Sequence, residues 1–366
     1  MGCKMKNTKE KLYDLDALNG LRVIAAFMVV LFHYNKLTGG SHADVNFPFY
    51  SVLKIAYVNG GLMVEMFFLI SGLCLYMFYS ERLIKREITV IDFLKKRFLK
   101  LYPLYILTTI ITVGLQYVYF KVNGIYFENN FNGSWRYLLL NLLGIARGWY
   151  ENNTYPYNAP AWYVSVLFFV YIVFGTICYI SSRGRRMKTK LIVLTLIGMS
   201  VGILLRWKEM QYAIFNVEIG RGLQSFFLGG LICLVIEKIS SIKDKRRMIW
   251  CATVVFLIGT IFIAIRRENV FENFSYLPLF LLPYIVIISM FNRYVRKILT
   301  VKIFKKLNGI TYEIFLLQYP VFILFKLIGD GMGVNYYSLV VWILFWAGLL
   351  GICYGFFIWK KSINML

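Results

Sequence analysis

The stretch LNGLRVIAAFMVVLFHY, Leu18 to Tyr34, decides the fold. It is a long apolar run that carries one arginine and one histidine, with no proline to break it. An α-helix rises 1.5 Å per residue, so about 20 such residues cross the ~30 Å of hydrocarbon in a bilayer. Runs of the same kind recur along the chain, and transmembrane helices are expected near 17–36, 61–80, 101–120, 161–181, 190–206, 219–237, 249–265, 275–292, 310–329 and 338–358. A weaker segment near 136–146 is too short to cross and reads as an interfacial or re-entrant piece. The expectation is an all-α, polytopic integral membrane protein of about ten transmembrane helices, forming a single domain over residues 1–366.

Composition agrees. Hydrophobic residues make up 59% and charged residues 16% of the chain, against roughly 45–50% and about 25% in ordinary soluble domains. The formal net charge of +23 would suit nucleic acid if the basic residues formed a patch. They fall instead in short clusters between alternate apolar runs: Lys4 to Lys11, Arg82 to Lys100, Arg183 to Lys190, Lys238 to Arg247, Arg293 to Lys306, and Lys360 with Lys361. Clusters on alternate loops mark a cytoplasmic face, so both termini are expected in the cytoplasm, the protein in the cytoplasmic membrane among its lipids, and no nucleic acid as partner. The six cysteines show no C-x-x-C spacing, so neither a metal site nor a disulfide framework is expected.

Ionisable side chains inside lipid are costly and are functional candidates by default. Arg22 and His33 are eleven residues apart, almost three whole turns, which puts them on one helix face ~16 Å apart. Imidazole is the side chain best placed for proton transfer near neutral pH. The second span runs the opposite way, so Glu65 comes to the depth of His33, where a carboxylate suits the orientation of an imidazole. Glu218 and Arg221 open the sixth span at a similar level, as site residues or as a structural ion pair. Arg97 and Lys100 share a face of the helix that leads into Pro103, a charge pattern that suits the phosphates of a nucleotide-like donor as well as plain topology. Ser71, next to Gly72, is either a nucleophile or part of a close helix contact. The loop over 121–160, which leads into Trp162, is rich in Asn, Tyr and Trp and suits a polar, ring-shaped ligand or an aromatic belt at the interface. Three Asn-x-Ser/Thr sites, at Asn132, Asn152 and Asn273, fall on the same outer side.

At these residues the sequence resembles the acyltransferase-3 family of integral membrane O-acyltransferases. The first span, GLMVEMFFLISG (Gly61 to Gly72), FLKKRFLKLYPLY (Phe93 to Tyr105) and GITYEIFLLQYPVF (Gly309 to Phe322) are similar to the family's motifs in order. Three positions depart from the pattern. Asn19 stands where an acidic residue is usual, Lys100 where a second arginine is, and Gln318 where a histidine often precedes the late proline.

The resemblance implies transfer of an acyl group, acetyl above all, from cytoplasmic acetyl-CoA or another acyl-CoA to a hydroxyl of a cell-envelope carbohydrate, free or lipid-linked. It implies donor binding at Arg97 and Lys100, with Arg22, His33 and Glu65 at the chemistry. Ser71, Trp162, Glu218 and Arg221 are then candidates for substrate contact. The acyl-CoA is a co-substrate, and no permanently bound cofactor is expected. The rivals are a flippase for a lipid-linked saccharide and a glycan polymerase, which would show charge spread along several spans or a larger outer loop with convergent Arg and His.

Overall fold

Long apolar runs build most of the described chain into helices, and one of them runs from a Thr89 cap to Gly124 at positive φ. The computed structural model describes residues 15–128, 131, 133–150, 156–239, 245–266 and 277–362. The tail lysines Lys4, Lys6, Lys9 and Lys11, the loop lysine Lys243 and all three Asn-x-Ser/Thr asparagines lie outside the described residues. In chain order the helices are α1 (Leu15–His33), α2 (Tyr50–Asn59), α3 (Val64–Leu75), α4 (Val90–Asn123), α5 (Trp135–Leu143), α6 (Trp162–Ser181) and α7 (Met187–Trp207). A two-residue hairpin, β1 (Gln211–Tyr212) with β2 (Phe215–Asn216), leads into α8 (Val217–Ile239). Then follow α9 (Lys245–Arg266), α10 (Leu282–Phe291), α11 (Arg293–Leu299), α12 (Lys302–Asn308), α13 (Thr311–Gly331) and α14 (Leu339–Ser362).

Among the described residues, eight helical runs are long and apolar enough to cross a membrane. The expected span near 275–292 is a broken one, because Pro278–Phe291 and α11 meet at 92°. The break has a local cause: the Asn292 side chain caps α11 by accepting from the backbone N–H groups of Tyr294 and Val295. The expected span near 249–265 is a shorter apolar helix, Met248–Phe262, within α9. Among the described residues all ten expected segments thus overlap helices, eight of them in runs long and apolar enough to span. The weak segment near 136–146 is α5, a helix of nine residues and so ~14 Å long, which does not span.

Two helices are longer than the sequence suggests. The second run covers Tyr50–Ile84, and α4 has 34 residues, starting at Val90 where Thr89 accepts from the Asp92 backbone N–H. At ~51 Å, α4 overshoots the hydrocarbon, so its basic stretch Lys95 to Lys100 is helical and projects beyond it on one side. The core has two parts that share α1: one lies among α1, α3, α6 and α8, the other among α1, α2, α13 and α14.

Glycines set the closest approaches. A Cβ on Gly72 would lie 1.9 Å from the Phe226 carbonyl oxygen, and one on Gly229 would lie 2.0 Å from that of Leu69, so α3 and α8 touch backbone to backbone at two points about one turn apart. Small residues permit such contact between helices in lipid. Gly72→Ala or Gly229→Ala must push the two helices apart and should cost about 1–3 kcal/mol or more. Gly351→Ala, with open space around its would-be Cβ, should cost nothing measurable. Fluorescence-detected size exclusion after stepwise heating of detergent extracts should show early loss of the folded peak for the first two variants alone.

Candidate active site

A cavity of about 380 Å³ opens where basic residues of three helices meet. Arg22 comes from α1, Arg97 and Lys100 from the projecting part of α4, and Lys360 from the last turn of α14. Glu313, on the first turn of α13, is the one carboxylate among the lining residues, and its Oε1 lies 3.5 Å from Lys360 Nζ. Four cations against one carboxylate leave the mouth strongly positive. Asn19 contributes to this: its Oδ1 accepts from Arg22 Nη1 at 3.2 Å, a neutral bond where an acid would have cancelled the charge. Arg22 Nη2 also lies 3.5 Å from Cys74 Sγ, and the Arg97 guanidinium stacks on Tyr79 at 4.4 Å. These contacts hold two flexible cations in place.

Deeper in, the lining turns aromatic and neutral, with Ser71 from α3, Tyr163 and Tyr171 from α6, and Tyr312 from α13. The roof is a triangle of rings. Phe67 and Phe315 stand 5.6 Å apart, Phe315 and Tyr163 5.3 Å, and Tyr163 and Phe67 5.9 Å.

Beyond the roof, His33 Nδ1 lies 3.1 Å from Gln318 Oε1. The amide of Gln318 is itself fixed, because its Nε2 donates to the Phe315 carbonyl at 2.8 Å. A flipped amide would set two acceptors against each other, so Oε1 faces the ring and His33 Nδ1 carries the proton. The other nitrogen, Nε2, keeps its lone pair, which is the form needed for a base or a nucleophile. Gln318 sits where α13 is weakened: Pro320 has no N–H for the Leu316 carbonyl, and the buried Asn158 side chain donates to that oxygen instead, at 2.9 Å. One turn past His33, Lys36 Nζ binds both carboxylate oxygens of Glu128 at 2.9 and 3.0 Å, and the Tyr319 hydroxyl donates to Glu128 as well. Nearby, His42 stacks on Phe32 with centroids 4.1 Å apart, and burial holds its imidazole below the ordinary histidine range.

A separate charged layer ties α3 to α7 and α8. Glu65 is fully buried and takes a two-pronged contact from Arg221, Nε to Oε1 at 2.8 Å and Nη2 to Oε2 at 2.9 Å. Arg206 Nη1 approaches the same carboxylate at 3.5 Å, and Arg221 lies over the Trp162 ring at 4.6 Å. Glu218 pairs with Arg147 at 2.5 Å.

The sequence candidates therefore divide into three groups. Arg22, Arg97, Lys100 and Ser71 share the cavity. Glu65, Arg221 and Trp162 share the charged layer, and Glu218 is held by Arg147, so Glu218 and Arg221 pair elsewhere and not with each other. The carboxylate expected to orient His33 binds arginines, and Gln318 takes that place. Sequence reading missed Lys360, Glu313, Arg206, Glu128 and Gln318 as site residues. Lys360 read as topological charge, whereas Arg206, at the end of an expected span, carried the same signal as Arg22. Among the described residues, no group of three or more His, Cys, Asp or Glu is placed to hold a metal ion.

The chain is thus a multi-pass helical bundle with a cationic cavity at one end and a hydrogen-bonded histidine beyond the ring triangle. The family model described as "Acyltransferase domain" matches residues 15–360, and the chain belongs to this acyltransferase-3 family. It is a multi-pass membrane acyltransferase. No curated protein and no solved structure matches the chain.

The charged layer yields a stability prediction. Glu65→Gln leaves two buried guanidiniums without their carboxylate and should cost about 3–5 kcal/mol. Glu87→Gln, which removes an exposed pair with Arg82, should cost almost nothing. Thermal melts of the two purified variants should differ by many degrees.

Proposed function

We propose that the protein takes an acyl group, acetyl in the simplest case, from cytoplasmic acyl-CoA and transfers it to a hydroxyl of a cell-envelope carbohydrate at the opposite face of the cytoplasmic membrane. The observation that carries this reading is the cavity itself, with four cations at its mouth and neutral aromatic walls beneath. That gradient suits a ligand with phosphates at one end and a slender, weakly polar arm at the other. Arg22, Arg97, Lys100 and Lys360 hold the phosphates by charge-assisted hydrogen bonds. The arm runs along α1 past Ser71 towards the ring triangle, on the path that joins Arg22 to His33.

At the end of that path, His33 Nε2 accepts the proton of the acceptor hydroxyl as its oxygen attacks the acyl carbonyl. A C–O bond forms, the C–S bond breaks, and the CoA thiolate leaves with the proton that His33 returns. Gln318 keeps Nδ1–H pointed away from the reacting atoms throughout. A flippase would need an unbroken polar passage, and the aromatic roof between the two polar regions argues against one.

Two measurements test this. The O-acyl content of surface polysaccharide, read by proton NMR, should be lost in host cells lacking the gene, return with the native protein and stay absent with His33→Ala at equal expression. Glycan of altered amount or length with unchanged acylation would sink the enzyme reading in favour of a transporter or polymerase. In detergent, Lys100→Ala should weaken binding of labelled acetyl-CoA roughly tenfold or more, and Lys100→Arg should restore it. Equal binding by all three proteins would remove Lys100 from the donor site.

A further inference from the structure

Three residues at the far end of α1 have hydrogen-bonding capacity that the protein leaves unused. An ammonium group has three donors, and Lys36 spends two of them on Glu128. A carboxylate offers about four acceptor positions, and among the described residues Glu128 fills three, two with Lys36 and one with the Tyr319 hydroxyl. Both side chains are partly open to solvent, at 32% and 19%. Behind them Gln116, on α4, is fully buried; its Oε1 accepts from the Glu128 backbone N–H at 3.4 Å, while its Nε2 has no partner among the described residues. A buried amide donor with nothing to bind is costly unless a ligand or water satisfies it.

The place is next to the chemistry. Lys36 is three residues beyond His33, so their Cβ atoms are about 5–6 Å apart on the helix surface. Tyr319, which holds Glu128, follows Gln318, which holds His33. The Phe127 ring packs edge-on against Tyr319 at 5.8 Å and gives the group an apolar flank.

We propose that Lys36, Glu128 and Gln116 form the acceptor subsite, which grips neighbouring hydroxyls of a neutral sugar ring and thereby sets the reacting hydroxyl beside His33. One spare donor and one spare acceptor, side by side at a rim, match a pair of adjacent hydroxyls, each of which both donates and accepts. The ion pair is internally neutral, so it selects for hydroxyls and against a charged group. This rests on the acyltransfer reading and names the substrate contacts within it.

The test uses Lys36→Met and Glu128→Gln in the full-length protein, with three readings. These are O-acyl content of surface glycan in cells lacking the native gene, binding of labelled acetyl-CoA in detergent, and the thermal melt. The subsite predicts that both variants melt and bind acetyl-CoA as the native protein does, while glycan acylation falls roughly tenfold. Undiminished acylation overturns it. So does early melting, or a parallel loss of acetyl-CoA binding, because the pair would then be holding the bundle or the donor and not the acceptor. If the native protein itself adds no acyl group, the acyltransfer reading falls first and the subsite falls with it, an outcome distinct from native transfer that the variants leave intact.

Discussion

A carboxylate at membrane depth needs a partner more than any other group in this protein, and Glu65 has two. Desolvation would make an isolated charge there prohibitive, whereas the Arg221 fork matches the carboxylate plane and uses both its oxygens. That contact depends in turn on the glycines. Only because Gly72 and Gly229 let α3 and α8 meet at their backbones does Arg221 reach Glu65. Trp162 then lies under Arg221 and brings α6 to the same point. The cationic cavity is walled by α3 and α6, so its shape is inherited from this layer.

The first and thirteenth helices do a different job. They run alongside each other and carry residues of both polar regions, Arg22 and His33 on α1, Glu313 and Gln318 on α13. A proline in the middle of α13 would ordinarily weaken such a rail. Here the freed Leu316 carbonyl is taken up by Asn158, from the loop that precedes α6, so the outer loop is pinned to the centre of the bundle by the defect itself. The loop that carries Glu128 is tied to the same helix one residue after Gln318, through Tyr319.

How far the sequence discloses this can be seen residue by residue. The polytopic helical class and the gathering of Arg22, Arg97 and Lys100 at one end were legible, because lipid demands long apolar runs and because basic residues concentrate at span ends. The family motifs then pointed to the right helices. Partnerships were not legible. Depth along a helix follows from counting, so Glu65 and His33 could be set at one level, but the direction each side chain takes around its axis depends on neighbours distant in sequence. Glu65 turns to α8 and His33 to α13. Gln318 looked like the loss of a histidine and proves to be the residue that fixes which nitrogen of His33 bears hydrogen. The 92° break after Phe291 was hidden for a similar reason, since Asn292 ends one helix by starting another.

The ring triangle of Phe67, Tyr163 and Phe315 has a meaning for the host cell that is separate from acyl transfer. The cationic cavity lies on one side of these rings and the His33–Gln318 pair on the other, and a continuous file of water between the two would conduct protons. Three interlocked aromatic edges interrupt that file, which preserves the electrochemical gradient across the membrane. The protein is in this sense insulated before it is catalytic, and larger rings there would tighten the seal at the expense of turnover.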